Sequence, residues 1–238
     1  MIEKQEILKM TKVFKFEELK PIIFTVKEDY ITAVVYDGNV LTRKNFRKEV
    51  LPAAVGEQRQ VYLADFNSLS GEDFFKDVFS REPDGQPIPQ FKGCSLDDRE
   101  GIGFSFYTGR PYLIKALQRA KSFADTGEDK LKIVTFSFEK KICTLSAEGI
   151  GGGRISKKCA EEVTVEGEGE KGVSHYNADY LLKILPLSEA KIVELLFFGK
   201  KENHILRIDL LDAEHTMGYI MPIRINLPWS PKMKGVKL

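Results

Sequence analysis

The sequence predicts an α+β protein of two repeated domains, each with an antiparallel sheet and two helices. Three observations carry this expectation. Short apolar runs of period two are interleaved with apolar stripes of period 3.6, so strands and helices alternate along the chain. The order helix, two or three strands, short helix, closing strands occurs twice. Ala64-Asp65-Phe66 matches Ala178-Asp179-Tyr180 at a spacing of 114 residues, and Gly103-Phe104 matches Gly218-Tyr219 at 115. Similar shifts in the same order are the mark of an internal duplication. The expected division is residues 1–108, residues 109–225 and a tail over 226–238.

Residues 2–14 form an amphipathic pattern, with Ile7, Met10 and Phe14 on one side and Gln5, Lys9 and Lys12 opposite. Strands are expected over 22–26 and 30–36. Asp37-Gly38-Asn39 then gives a hairpin signal into a strand over 40–46. A short strand over 60–65 and a helix over 67–79 follow, the helix burying Phe74, Phe75, Val78 and Phe79. Residues 82–101 are rich in Pro, Gly and Asp and contain turns, and a strand over 102–107 closes the half.

The second half opens with the clearest helical pattern, over 112–124. Thr108 is the expected cap, Pro111 sits in the first turn, and Leu113, Ala116, Leu117, Ala120 and Ala124 form the buried stripe. Strands are expected over 131–138, 142–147, 154–160, 162–166 and 172–176. A short helix over 177–185 is stopped by Pro186, and strands over 192–198, 204–211 and 217–225 finish the chain. The last strand is unusual. It is largely apolar, yet Pro222 has no N–H to give to a ladder, so Met221, Pro222 and Ile223 are free to line a surface groove.

Composition narrows the function. With 36 basic and 35 acidic residues the net charge is +1, so any nucleic-acid contact must come from a local basic face. No apolar run is long enough to span a bilayer, and the N-terminus lacks a secretory pattern, so a cytoplasmic protein without membrane contact is expected. Cys94, Cys143 and Cys159 lack metal-ligand spacing and read as free thiols.

No constellation for catalysis stands out. The glycine run from Gly149 to Gly153 has neither dinucleotide nor P-loop register and reads as a hairpin loop. His175, His204 and His215 are scattered, the acidic pairs fall in turns, and the flanks of Ser68 and Ser70 lack nucleophile-elbow spacing. The expectation is a protein that is not an enzyme and needs no cofactor.

The basic helix faces are more informative. Lys115 and Arg119 lie one turn apart, opposite the buried stripe of their helix, with no acid between Arg110 and Ala124. Lys9 and Lys12 stand in the same relation to the core of the first helix, and Lys183 lies on the second short helix. A charged helix face is ordinarily a solvated one. Two such faces related by a repeat would make a sequence-blind phosphate lining in a nearly neutral protein.

The second half resembles the C-terminal domain of the bacterial replicative sliding clamp, the β subunit of DNA polymerase III. The resemblance spans about residues 109–225. It rests on the element order, on Tyr176-Asn177-Ala178-Asp179-Tyr180-Leu181-Leu182, and on Tyr219-Ile220-Met221-Pro222-Ile223-Arg224-Ile225, close to the Met-Pro-Met-Arg-Leu ending of that family. It implies a ring of clamp domains around duplex DNA, with helices lining the hole and sheets outside. Lys9, Lys12, Lys115, Arg119 and Lys183 would then face the DNA. It also implies a pocket for short peptides of partner proteins, walled by Met221, Pro222, Ile223 and Arg224 with Asn177 and Tyr180 at the rim. Met suits a groove that accepts several partners.

The expected partners are a DNA polymerase, a clamp loader and further copies of the chain. Two domains, where bacterial clamps have three, imply that a six-domain ring takes three chains, a homotrimer. Leu227 and Trp229 in the tail are expected to cover the groove or extend it. The alternative is a clamp-fold peptide-binding or regulatory adaptor that does not encircle DNA.

Overall fold

A computed structural model describes residues 2–14, 21–66, 68–69, 73–83, 85–86, 99–124, 132–149, 153–165, 171–199 and 204–223. The first half begins with α1 (Ile2–Thr11), which buries Ile7 and Met10. Strands β1 (Ile22–Val26), β2 (Tyr30–Tyr36) and β3 (Val40–Arg47) form a meander. The turn between β2 and β3 is built by Asp37, whose Oδ1 accepts from the amides of Asn39 and Val40 at 2.8 and 2.9 Å. Gly38 between them takes φ +106°, which a side chain rarely tolerates.

The next elements depart from the sequence reading. Strand β4 covers Gln58–Val61 and lies against β1, while Leu63–Phe66 is a short helix, α2. The strand expected over 60–65 therefore ends early, because the chain turns at Tyr62 so that Phe66 can enter the core at 0% exposure. The helix expected over 67–79 is described as α3 (Phe74–Ser80), burying Phe74, Phe75, Val78 and Phe79.

Strand β5 (Ile102–Gly109) runs directly into α4 (Arg110–Phe123), whose N-cap is Gly109. Thr108 cannot be the cap because it is still paired in β5, opposite Val193. Then come β6 (Ile133–Glu139), β7 (Ile142–Glu148), β8 (Arg154–Ala160), the two-residue β9 (Thr164–Val165) and β10 (Lys171–Asn177). Asn177 caps α5 (Ala178–Ile184) by accepting the Asp179 amide at 2.9 Å. Pro186 does not end the helix abruptly but sits in a 3-10 turn over Leu185–Leu187. Strands β11 (Ile192–Phe198), β12 (Ile205–Leu210) and β13 (Thr216–Ile220) complete the fold.

All the pairings are antiparallel, in two sheets of order β4-β1-β2-β3-β13-β12-β11-β5-β9 and β10-β6-β7-β8. The duplication is visible in them. The order β4-β1-β2-β3 in the first half repeats as β10-β6-β7-β8 in the second, and α2 follows β4 as α5 follows β10. The matched Ala-Asp-aromatic triplets thus fall at equivalent helix starts. The other anchor does not superpose in this way, since Gly103 lies in β5, which pairs with β11 and β9, and Gly218 lies in β13, which pairs with β12 and β3.

Two consequences follow from the pairing. The halves share one continuous sheet, joined where Met217, Gly218, Tyr219 and Ile220 face Arg43, Thr42, Leu41 and Val40. Among the described residues the first half also has no counterpart of β11, β12 and β13. The 21 residues from Arg81 to Gly101 are fewer than the 29 those three strands and their turns occupy.

One main core fills the space between helices and sheets. The sheets meet through aromatic rings, with Phe104 stacked on Phe138 at 4.3 Å and Phe197 edge-on to Phe138 at 4.7 Å. Beside them His204 is fully buried, its Nδ1 2.7 Å from Ser174 Oγ, and burial pushes its ring below the usual imidazole range. Cys143 and Cys159 are free thiols in the core with sulfurs 3.4 Å apart; Cys94 lies outside the described residues. Gly218 is required by packing: a Cβ there would meet Ile184 Cγ2 at 2.8 Å, so glycine sets how closely α5 approaches β13.

Candidate functional site

Strand β13 ends at Ile220, not at residue 225 as the apolar run suggests. The next amides leave the sheet. Met221 N–H donates to the carbonyl of Asn39 in the β2–β3 turn at 2.8 Å, and Ile223 N–H donates to the carbonyl of His175 in β10 at 2.8 Å. Pro222 between them has no amide to satisfy, which suits a residue that bridges from one acceptor to the other. Met221-Pro222-Ile223 is therefore a strap between the first half and the second half, not a ladder strand.

The strap carries an exposed apolar surface. Met221 is 45% exposed, unusual for a methionine beside a buried strand, and Pro222 and Ile223 are half-buried. Around it stand Asn177, which caps α5, and Tyr180 on the first turn of that helix. Tyr180 Oη donates to Asp37 Oδ2 at 3.4 Å, so both carboxylate oxygens of Asp37 are used, one within its turn and one across the junction. The strap is thus tied to the Asp37-Gly38-Asn39 turn that Tyr180 also reaches, and to His175, two residues before Asn177. Arg224 and the tail with Leu227 and Trp229 lie outside the described residues.

The sequence reading missed Asp37, Asn39 and His175. Asp37-Gly38-Asn39 looked only like a hairpin turn; its second role depends on β13 pairing with β3, a contact between distant segments. Chemically, the site offers apolar surface beside amide, phenol and carboxylate groups. Among the described residues no cluster of His, Cys, Asp and Glu fit for a metal ion occurs.

The basic residues lie on a row of three helices. Lys183 Nζ on α5 donates to the carbonyl of Val13 just past α1 at 3.2 Å. Lys121 on α4 forms an ion pair with Asp179 on α5. The order is therefore α1, α5, α4. Lys9, Lys115 and Arg119 are exposed on it, as is Lys12 in the turn just after α1, and Lys9 pairs with Glu6 at 2.7 Å. Lys183 differs from these four, since its ammonium serves as a tie between helices. Among the described residues no helix is long and apolar enough to cross a membrane.

A sheet shared by two repeated halves, with helices in a row along it, is the sliding-clamp fold. The comparisons agree. The sliding clamp of Bacillus subtilis matches with a TM-score of 0.66 over 93% of this chain and 62% of that one, at 12% identity. The DNA polymerase III β subunit of Thermotoga maritima matches with 0.64 over 93% and 64%, at 17% identity. A DnaN sliding clamp of Pseudomonas aeruginosa bound to griselimycin matches with 0.63 over 89% and 58%, at 13% identity. This chain spans about three fifths of the length of those clamps. No protein-family model and no curated protein matches the sequence.

Proposed function

We propose that this protein is a DNA sliding clamp, a non-enzymatic processivity factor that encircles duplex DNA in a ring and holds partner proteins through short peptides. The observation that carries the proposal is the helix row α1–α5–α4, which presents Lys9, Lys12, Lys115 and Arg119 beside a sheet continuous through both halves. A topological tether needs only weak, sequence-blind attraction to DNA, and four exposed cations in a chain of net charge +1 supply that. The likeness in fold to clamps supports this reading. The partners it requires are a polymerase, a loader that opens the ring, and further ring subunits.

We infer a peptide pocket at the strap, with Met221, Pro222 and Ile223 as wall, Asn177 and Tyr180 as rim, and Arg224 as the wall residue that follows in sequence. Griselimycin, bound by the Pseudomonas clamp, is a ligand to test against this chain, with Met221→Asp as the variant that reports whether it binds at the strap. We draw the division between the halves before Ile102, because β5 pairs only with strands of the second half. A count of three chains rested on two complete domains per chain. With three four-stranded units among the described residues in place of four, the ring is proposed without a fixed number.

The decisive experiment loads the chain onto circular DNA and linearises the circle. A ring stays on the circle at high salt and slides off the linear form; equal loss from both sinks the ring. The adaptor reading then takes its place, and one observation already favours it. The first half offers, among its described residues, no strand equivalent to β13 with which a neighbouring copy would continue the sheet at β8.

A further inference from the structure

Strand β8 is the open edge equivalent to β3. In the repeated sheets β3 and β8 occupy the same place, yet β3 is covered by β13 over four residue pairs and, among the described residues, β8 is paired on one side only, with β7. The direction of its free groups can be read from the ladder. Gly149 N–H donates to Gly153 O, so Gly153 and, by alternation, Ile155 and Lys157 bond to β7. The backbone groups of Arg154, Ser156 and Lys158 therefore point outward. Tyr112 Oη on α4 already donates to the Lys158 carbonyl at 2.7 Å, which leaves the outward backbone groups of Arg154 and Ser156 without a partner among the described residues. The side chains of Arg154, Ser156 and Lys158 are exposed, and Lys157 Nζ lies over the Tyr112 ring at 4.3 Å.

We infer that β8 is a strand-addition edge that receives an extended, acid-bearing segment of a different protein, laid antiparallel as β13 lies on β3. Charge complementarity argues for the acid: Arg-Ile-Ser-Lys-Lys-Cys-Ala carries three cations and no anion, with Glu161 meeting only Lys158 at the rim. A second copy of this chain is a poor occupant. Among the described residues its open strands β4, β8, β9 and β10 contain no Asp or Glu, and two β8 strands paired about their centre would set Lys157 against itself. The backbone ladder would supply affinity and the acids register and orientation. The inference holds for an adaptor, and for a ring only if its subunits do not join by copies pairing at β8.

The test uses the full chain and a fluorescein-labelled octapeptide alternating Glu with Thr and Val, followed by anisotropy. Saturable binding is expected, about tenfold weaker at physiological than at low salt because the contacts are solvent-exposed. A matched peptide with Lys for Glu should not bind. Ser156→Pro removes an outward N–H and no bond to β7, so it should abolish binding while the unfolding midpoint stays put. Tyr112→Phe frees the Lys158 carbonyl and should tighten binding. Absence of saturable binding overturns the inference, as does binding that survives Ser156→Pro. A self-association of the chain that Ser156→Pro dissolves also overturns it, since the occupant is then a copy.

Discussion

Met221 N–H donates to Asn39 O across 2.8 Å, fastening the end of the second half to the hairpin turn of the first. Asp37 shapes that turn, so the acceptor is only as well placed as the Asp37 carboxylate. Asp37→Ala leaves the amides of Asn39 and Val40 without their acceptor and should cost about 1–2 kcal/mol in urea unfolding. Asp37→Asn keeps an acceptor oxygen and should recover most of it. If the strap depends on the turn, amide exchange at Met221 speeds up in the alanine variant before the core exchanges.

Met221→Asp separates groove from core. The side chain is 45% exposed, so the substitution should shift stability by no more than about 0.5 kcal/mol. Binding of a partner peptide, or of polymerase in a primer-extension assay, should fall at least about tenfold, since a carboxylate would be desolvated against apolar atoms. Loss of fold with loss of binding would return the strap to a purely structural role.

Lys44 is a second fastening point. Its side chain is 5% exposed and reaches Glu6 on α1 at 2.7 Å and Glu214 before β13 at 2.5 Å. Burial alone would raise the Glu6 carboxyl, but hydrogen bonds from Lys44 and Lys9 outweigh it and hold Glu6 below its usual range. A depressed carboxylate contributes stability that is present above its unfolded pKa, about 4.3, and lost as pH falls through the folded value. Lys44→Met should therefore flatten the acid limb of a stability-versus-pH curve below about pH 4.5.

His204 predicts a separate step at milder acidity. Burial lowers its pKa, and protonation would place charge among Phe104, Phe138 and Phe197. Its contribution is complete above the unfolded value of about 6.5 and declines as pH falls toward the folded one. Chemical denaturation in steps from pH 7.5 to 5 should show the decline in the native chain and not in His204→Gln. A flat native curve over that range would contradict it.

Much of this architecture is legible in the sequence, and what is hidden has a physical cause. Strands β1, β2, β8 and β11 begin and end where the apolar pattern does, because each is bounded by turn residues or charges. The stripe Leu113, Ala116, Leu117, Ala120 gives α4 its buried face directly. Helix α2 spans four residues, too few for a period to show, so it reads as the end of a strand over 60–65; the match of Ala64-Asp65-Phe66 to Ala178-Asp179-Tyr180 points to duplication, not to a helix. The pairing of β5 with β11 is a contact across about ninety residues that local pattern cannot carry. The junction site suffers the same way: Met221 and Pro222 were conspicuous, whereas Asp37 and Asn39 became part of it only through the β3–β13 pairing.

The basic row yields the prediction that bears most directly on function. Lys115 and Arg119 are exposed, opposite the buried stripe of α4, and their replacement touches no core contact. Lys115→Glu with Arg119→Glu should leave the unfolding midpoint unchanged. Each cation that meets a phosphate adds about 0.9 to the slope of log affinity against log salt, so losing two should lower that slope by roughly 2. The Lys9→Glu, Lys12→Glu pair, on α1 and in the turn just after it, should act likewise if α1 and α4 face the same duplex. Lys183→Gln is the contrasting variant: its ammonium is tied to the Val13 carbonyl, so it should loosen the α1–α5 contact and lower stability more than the salt slope. A slope unmoved by either double reversal would mean that the helix row does not face DNA.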